Sequence, residues 1–226
     1  MTTIREIHIL GCAWVYLPVI FDVVYEAKGT THFKICQNLE VEDTSTAELI
    51  NSIHKYSIHP PGEQLDLSQS TVAFGVDGPF AKHAVYSYFH KNSGLLRQNM
   101  PNIIHPSAYV SSSAILSSGV FCEPGVMISS QTEIGFGVTM KRGVSIGHHN
   151  IIGEYVEINP GVIIAGHANI GKGCILGVGS VVKNGVSIGE NTFIGMGSLV
   201  NKDIPAGVVA YGSPCRVIRP NDKKPV

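Results

Sequence analysis

Three histidines open the chemical reading of this chain. His148 and His149 are adjacent, and His167 follows His149 by 18 residues. Imidazole has an ordinary pKa near neutrality, so it suits a proton acceptor working at physiological pH. By position alone these residues read as solvated turn histidines. A structure repeating every 18 residues would stack His149 on His167, and a stacked pair offers two ligands to a metal ion; a solvated pair is the plainer outcome, and no metal is expected. The five cysteines, Cys12, Cys36, Cys122, Cys174 and Cys215, are far apart and form no C-x-x-C pair. Their odd number and spacing argue against a disulfide framework or zinc knuckle and point to a reducing compartment, the cytoplasm.

The element that must position the histidines is a repeat. Every sixth residue from Ile104 to Val200, seventeen positions without insertion, is aliphatic, Cys or Met. Two residues ahead of each inward position from Val110 onward, a mostly small or β-branched residue recurs, from Ala108 to Ser198. Neither a helical period nor simple strand alternation produces this pattern. A fixed short period is the mark of a solenoid, whose turns bury their faces only by stacking. A longer period rides on it: Gly125, Gly143, Gly161, Gly179 and Gly197 are spaced by 18, as are Gly135, Gly153, Gly171 and Gly189. Three hexads therefore make one coil of a triangular prism, each coil advancing about 4.8 Å, with glycine at corners that need positive φ or close backbone approach. Cys122 and Cys174 fall on inward positions and read as core residues, not nucleophiles.

Residues 1–103 follow another pattern. A strand Ile7 to Leu10, a helix from near Pro18, a strand Phe33 to Cys36, a helix entered through the capping box Ser45-x-x-Glu48, a third strand Thr71 to Gly75 and a helix from Pro79 to about Lys91 imply a small parallel α/β sheet with ligands at the strand C-terminal ends. The boundaries expected are 1–103 for this domain, 104–200 for the prism and 201–226 for a closing segment. Sixteen basic and 17 acidic residues, scattered, leave a net charge of -1, without the positive field a nucleic-acid partner requires. The uncharged run Ile7 to Phe21 is broken by Gly11 and Pro18 and is shorter than the roughly 20 residues of a membrane span, so no membrane partner is expected.

The strings IGFGV, IGHHNIIGEYVEINPG, IAGHANIGKG and IGENTFIGMGSLV between Ile134 and Val200 resemble the hexapeptide-repeat acyltransferases, whose prisms are left-handed β-helices. The resemblance covers about Ile104 to Arg219, and the handedness comes from it. A small Rossmann-like domain followed by IIHPSAYVSSSA resembles, more narrowly, the subfamily of nucleotide-sugar N-acetyltransferases and sialic-acid O-acetyltransferases. The tail GVVAYGSPCRVIRP is similar to that family's closing segment, with Cys215 where alanine is common.

That resemblance implies an acetyl-CoA-dependent N-acetyltransferase acting on an amino sugar, a 4-amino-4,6-dideoxy sugar on a nucleotide carrier, working as a homotrimer. Sugar O-acetylation is the alternative within enzymes. Outside it stand a zinc enzyme like the β-helical carbonic anhydrases, which use different histidine spacing and lack the front domain, and a non-catalytic scaffold. In the family string H-[DE]-C-x-I-G-[DE], the catalytic histidine precedes Ile-Gly by four residues; His148 precedes Ile152-Gly153 by four and Glu154 follows. His148 is thus the implied general base. His149 stands where the family has an acidic orienting residue, and Glu157 stands where it has a second histidine, so the orienting group is sought elsewhere, Glu157 of a neighbouring chain included. Acetyl-CoA is expected along the prism, near the backbone of Gly166, Gly177 and Gly195 with Lys172, Lys183 or Arg216 near its phosphates. The nucleotide-sugar site falls to Gly11, Cys12 and Ala13 after the first strand, Gln37 and Asn38 after the second, and Gly75 and Asp77 after the third expected strand; the family's glycine-rich loop and acidic pair are absent.

The repeat also bears on assembly. The outward residues of one face, Met127, Ser145, Ile163, Val181 and Leu199, are apolar at four of five positions, whereas the other columns are mixed. Strands apolar on both sides are expected where the second side is also covered. His148 lies two residues beyond Ile146, where this face ends.

Overall fold

The computed structural model describes residues 4–40 and 54–222. They form two compact units, Met1–Asp77 with Ala81–Ile103, and Gly78–Phe80 with Ile104–Val226. No helix among the described residues is long and apolar enough to cross a membrane.

The first unit holds β1 (Glu6–Leu10), α1 (Leu17–Lys28), β2 (His32–Cys36), β3 (Lys55–His59), β4 (Val72–Phe74) and, from Ala81 onward, α2 (Pro79–Ser93). The strands lie in the order β3-β2-β1-β4, and every neighbouring pair is parallel. Helix α1 begins where Pro18 fits the first turn and ends at Gly29, whose φ of 71° lets its N–H reach the Tyr25 carbonyl. Ile7, Ile9 and Leu10 from β1 are fully buried with Phe21, Phe33 and Ile35, and the rings of Phe21 and Phe33 stack at 4.0 Å. The strand expected at Thr71 to Gly75 is the fourth of the sheet, not the third. The unforeseen β3 alternates mostly exposed with half-buried residues, so as an edge strand it lacks the apolar signature that marks its neighbours. The capping box at Ser45 lies outside the described residues.

The second unit is the prism, a left-handed β-helix. Its strands are two residues long, each pairing in parallel with residues 18 further along the chain, as Glu133 pairs with Ile151 and Ser145 with Ile163. Three sheets result, with every inward position of the six-residue count on the second residue of a strand. Ile128, Met140, Ile158, Leu176, Ile194 and Val200 are fully buried in one continuous core, each contributing on the order of 1.5–3 kcal/mol by removal from water. Burial pushes the Cys122 and Cys174 thiols up to about 12, in keeping with core residues that carry no thiolate. Val208–Gly212 adds in parallel beside Phe193, and Cys215–Pro220 folds back antiparallel on it to close that sheet.

The outer columns differ in exposure. Phe121, Thr139 and Glu157 are buried at 9%, 2% and 8%, while Met127, Ile163 and Leu199 stand exposed at 52%, 48% and 39%.

Candidate functional site

The site is built on the corner Gly147–Asn150, between the strands Ser145–Ile146 and Ile151–Ile152. Asn150 is fully buried where most equivalent corners carry Val, Thr, Ser or Ala. Its amide donates to the Gly147 carbonyl at 2.8 Å and its Oδ1 accepts from the Ala168 N–H at 2.7 Å. The Thr132 hydroxyl donates to the same Gly147 carbonyl at 2.8 Å. The two residues projecting from this clamped turn are His148 and His149.

His148 Nδ1 lies 3.0 Å from His149 Nδ1, so one ring donates and the other accepts. The two rings are perpendicular, with centroids 5.1 Å apart. On its other side His148 rests on the next coil. A Cβ at Gly166 would sit 2.8 Å from His148 Cε1 and 3.0 Å from its Nε2, and 3.1 Å from Asn184 Oδ1. Glycine at 166 is therefore a steric requirement of the imidazole above it. His167, one residue on, donates its backbone N–H to the His148 carbonyl at 3.0 Å. Its ring stacks on His149 at 4.9 Å and stands perpendicular to His148 at 5.1 Å. His149 and His167 both hold left-handed backbone, with φ of 56° and 57°, which costs an L residue on the order of 1 kcal/mol relative to glycine. All three rings are exposed.

The other residues singled out in the sequence divide between places. Glu157 lies on a different face of the same chain, where its Oε1 accepts from Lys141 Nζ at 2.9 Å in a pair whose side chains are 11% and 10% exposed; Lys141 also reaches Asn159 Oδ1 at 3.2 Å. Gly166 and Lys183 belong to the histidine corner of successive coils. Lys172 belongs to a second corner, and Gly177 and Gly195 to the third. A Cβ at Gly177 would meet the backbone N of Met196 at 2.5 Å, and one at Gly195 the Tyr211 Cβ at 2.6 Å, so tight coil stacking accounts for both. Arg216, in the closing hairpin, donates to the Cys215 carbonyl at 2.8 Å.

In the first unit, Gly11, Cys12, Ala13, Gln37, Asn38, Gly75 and Asp77 all follow the C-terminal ends of β1, β2 and β4. Gly11 and Gly75 owe their identity to packing. A Cβ at Gly75 would lie 2.5 Å from the Gly11 carbonyl, and one at Gly11 would lie 2.5 Å from Val76. The Ala13 N–H donates to the Gly75 carbonyl at 2.9 Å, tying the two loops together. Burial raises the Cys12 thiol to about 11 against a hydrogen bond from Gln37 that lowers it. Of these seven residues only Gln37 lines the cavity of about 320 Å³ beside Gly62–Leu65 and Tyr88, a size at the lower end for small-molecule sites. Sequence reasoning missed Asn150, Asn184 and the third histidine's place beside His148; the signal for Asn150 was an amide in a column of small apolar and hydroxyl residues.

Residues 167–202 match the bacterial transferase hexapeptide (six repeats) family. No curated protein sequence matches the chain. Among solved structures it is similar to the acetyltransferase domain of PglB from Neisseria gonorrhoeae FA1090 in complex with acetyl coenzyme A, at a TM-score of 0.77 and 18% identity over 95% of this chain and 99% of that one. It is also similar to a histidine-to-asparagine mutant of perosamine N-acetyltransferase from Caulobacter crescentus in complex with CoA and GDP-perosamine, at 0.75 and 21% over 95% and 96%. A third is WeeI from Acinetobacter baumannii AYE, at 0.61 and 20% over 96% and 100%. What is shared at these identities is the fold of both units, as the sequence resemblance implied.

Proposed function

We propose that the protein is an acetyl-CoA-dependent N-acetyltransferase acting on an amino sugar carried by a nucleotide, with His148 as general base. The observation that carries this reading is the 3.0 Å contact between His148 Nδ1 and His149 Nδ1, with His148 Nε2 set over Gly166. When His149 accepts through Nδ1, His148 donates its Nδ1–H and keeps the lone pair on Nε2. His149 thereby does what the acidic residue does in the family the chain resembles, and we assign the orienting role to it. Glu157, already paired with Lys141, is not needed for that task. The ligands of similar folds support the substrate class: acetyl coenzyme A on the PglB domain, CoA with GDP-perosamine on the Caulobacter enzyme.

In the reaction the sugar amine attacks the thioester carbonyl, the C–N bond forms and the C–S bond breaks. The amine proton passes to His148 Nε2 and from there to the departing CoA sulfur. Both substrates are held together, so no acyl-enzyme forms, and the raised thiols of Cys122 and Cys174 stay out of the chemistry. Gly166 and Lys183 are the donor-binding residues of the histidine corner. Gly177 and Gly195 would reach the same groove only from a neighbouring chain, whereas Lys172 lies on the corner opposite the apolar face. An enzyme with five free thiols and these substrates belongs in the cytoplasm.

A homotrimer packed through the column Met127, Ser145, Ile163, Val181 and Leu199 would supply that neighbour, because four of its five residues are apolar and Met127, Ile163 and Leu199 stand exposed in the single chain. Replacing Ile163 and Val181 together by Asp would bury carboxylates at the seam. The double variant should run as a monomer in light scattering and lose activity; an assembled double variant, or an active monomer, would refute this interface. The function itself is tested by offering a panel of nucleotide-linked amino sugars with acetyl-CoA and following free thiol. Release with at least one amine, giving an N-acetyl product, is expected. No release with any of them, or an O-acetyl product, would overturn the reading.

A further inference from the structure

We propose that His148, His149 and His167 form a binding site for one first-row transition-metal ion of the Zn²⁺ or Ni²⁺ class, and that occupancy silences His148. The imidazole nitrogens these three residues offer all lie within 4.8 Å of one another. Ligand nitrogens about 2.0–2.1 Å from a tetrahedral zinc are roughly 3.3 Å apart. The His148–His149 pair is already close to that edge at 3.0 Å. The remaining edges need to close by at most about 1.5 Å, which small side-chain rotations of exposed rings can supply.

Each ring packs against the other two. Their centroids form a triangle with sides of 4.9, 5.1 and 5.1 Å, two rings near parallel and the third perpendicular to both. The backbone keeps them there. His149 and His167 occupy the same left-handed step of successive coils, where the next coil has Gly185, so both side chains leave the corner in register. The group contains no carboxylate, and an all-imidazole set favours Zn²⁺, Ni²⁺, Cu²⁺ or Co²⁺ over the oxygen-seeking Mg²⁺ and Ca²⁺. Exposure leaves the fourth position open to water.

Occupancy removes the base whichever nitrogen of His148 binds. If Nε2 ligates, its lone pair is taken; if Nδ1 ligates, the ring proton resides on Nε2. The metal is thus not a cofactor of acetyl transfer but a reversible block on it. This second half rests on the reading of His148 as base, whereas the site itself does not.

The test uses untagged full-length protein stripped with a chelator. Zn²⁺ binding is followed by calorimetry and Co²⁺ binding by its visible absorption, with Mg²⁺ as the control, in wild type and in His167→Gln. Gln131 already takes the equivalent left-handed step, with φ of 53°, so glutamine at 167 preserves the corner, which an unchanged circular dichroism spectrum verifies. One ion per chain, with affinity falling by more than the roughly 10–100-fold that follows loss of a supporting partner, and no response to Mg²⁺, is the result expected. Absent binding, or equal binding in His167→Gln, overturns the site. In the thiol-release assay Zn²⁺ should suppress wild-type turnover, chelator should restore it, and His167→Gln should keep its turnover at the same Zn²⁺ concentration. Metal bound through His167 without loss of turnover would overturn the silencing and the assignment of His148 as base, while leaving the site standing.

Discussion

Two corners of the prism take the same left-handed backbone step with different residues. At one, Gly125, Gly143, Gly161, Gly179 and Gly197 have φ between 65° and 72° in coil after coil. At the other the step falls to Gln131, His149 and His167, with φ of 53°, 56° and 57°, and only then to Gly185. Glycine adopts this conformation without steric cost, and an L residue does not. A contact made by the side chain can offset that cost. The remaining corner, that of Lys172, obeys the same rule: Tyr155, at φ 57°, is buried against the Phe136 ring at 5.3 Å. At the histidine corner what the His149 and His167 rings touch is each other and His148, in the open.

The comparison predicts where activity and stability part company. The largest effect belongs to His148→Ala, which should lower turnover by about 10²–10⁴, the range for loss of a general base, with acetyl-CoA affinity near wild type. Undiminished turnover would place the base elsewhere. His149→Ala should cost less, on the order of 10–10², because it frees the ring orientation without removing the lone pair. A reversed order would mean that His149 is the base. Gly166→Ala puts a methyl where His148 rests, so kcat should drop by about tenfold through displacement of the imidazole. By contrast Gly161→Ala, at the left-handed step of the all-glycine corner, has nothing within 4 Å of the added carbon but a φ of 70°. That variant should lose about 1 kcal/mol of stability in a denaturant titration and keep its kcat. If both glycine variants behave alike, the two corners are not different in kind.

Much of this was legible in the chain itself, for a physical reason. An inward residue every six positions is demanded by burial, and an 18-residue coil stacks like on like, so the prism and the His149–His167 contact follow from counting. The place of His148 does not follow, because it depends on a rotamer laid over Gly166 and on a turn clamped by Asn150 and Thr132. Gly166 reads as a donor contact, and the first atoms a side chain there would meet are those of the His148 ring. In the front unit Gly11 and Gly75 read as ligand-loop glycines, yet each makes room for its neighbouring loop. Strand β3 escaped notice because an edge strand with mostly exposed residues carries no apolar alternation.

Catalysis by His148 depends on which of its nitrogens bears the proton, and ¹⁵N NMR of the neutral imidazoles in metal-free protein reads this directly. The Nδ1–H form of His148, with its proton shared toward an unprotonated Nδ1 of His149, is the result required. A His148 protonated on Nε2 and accepting from His149 would contradict it, since no lone pair would then face the substrate.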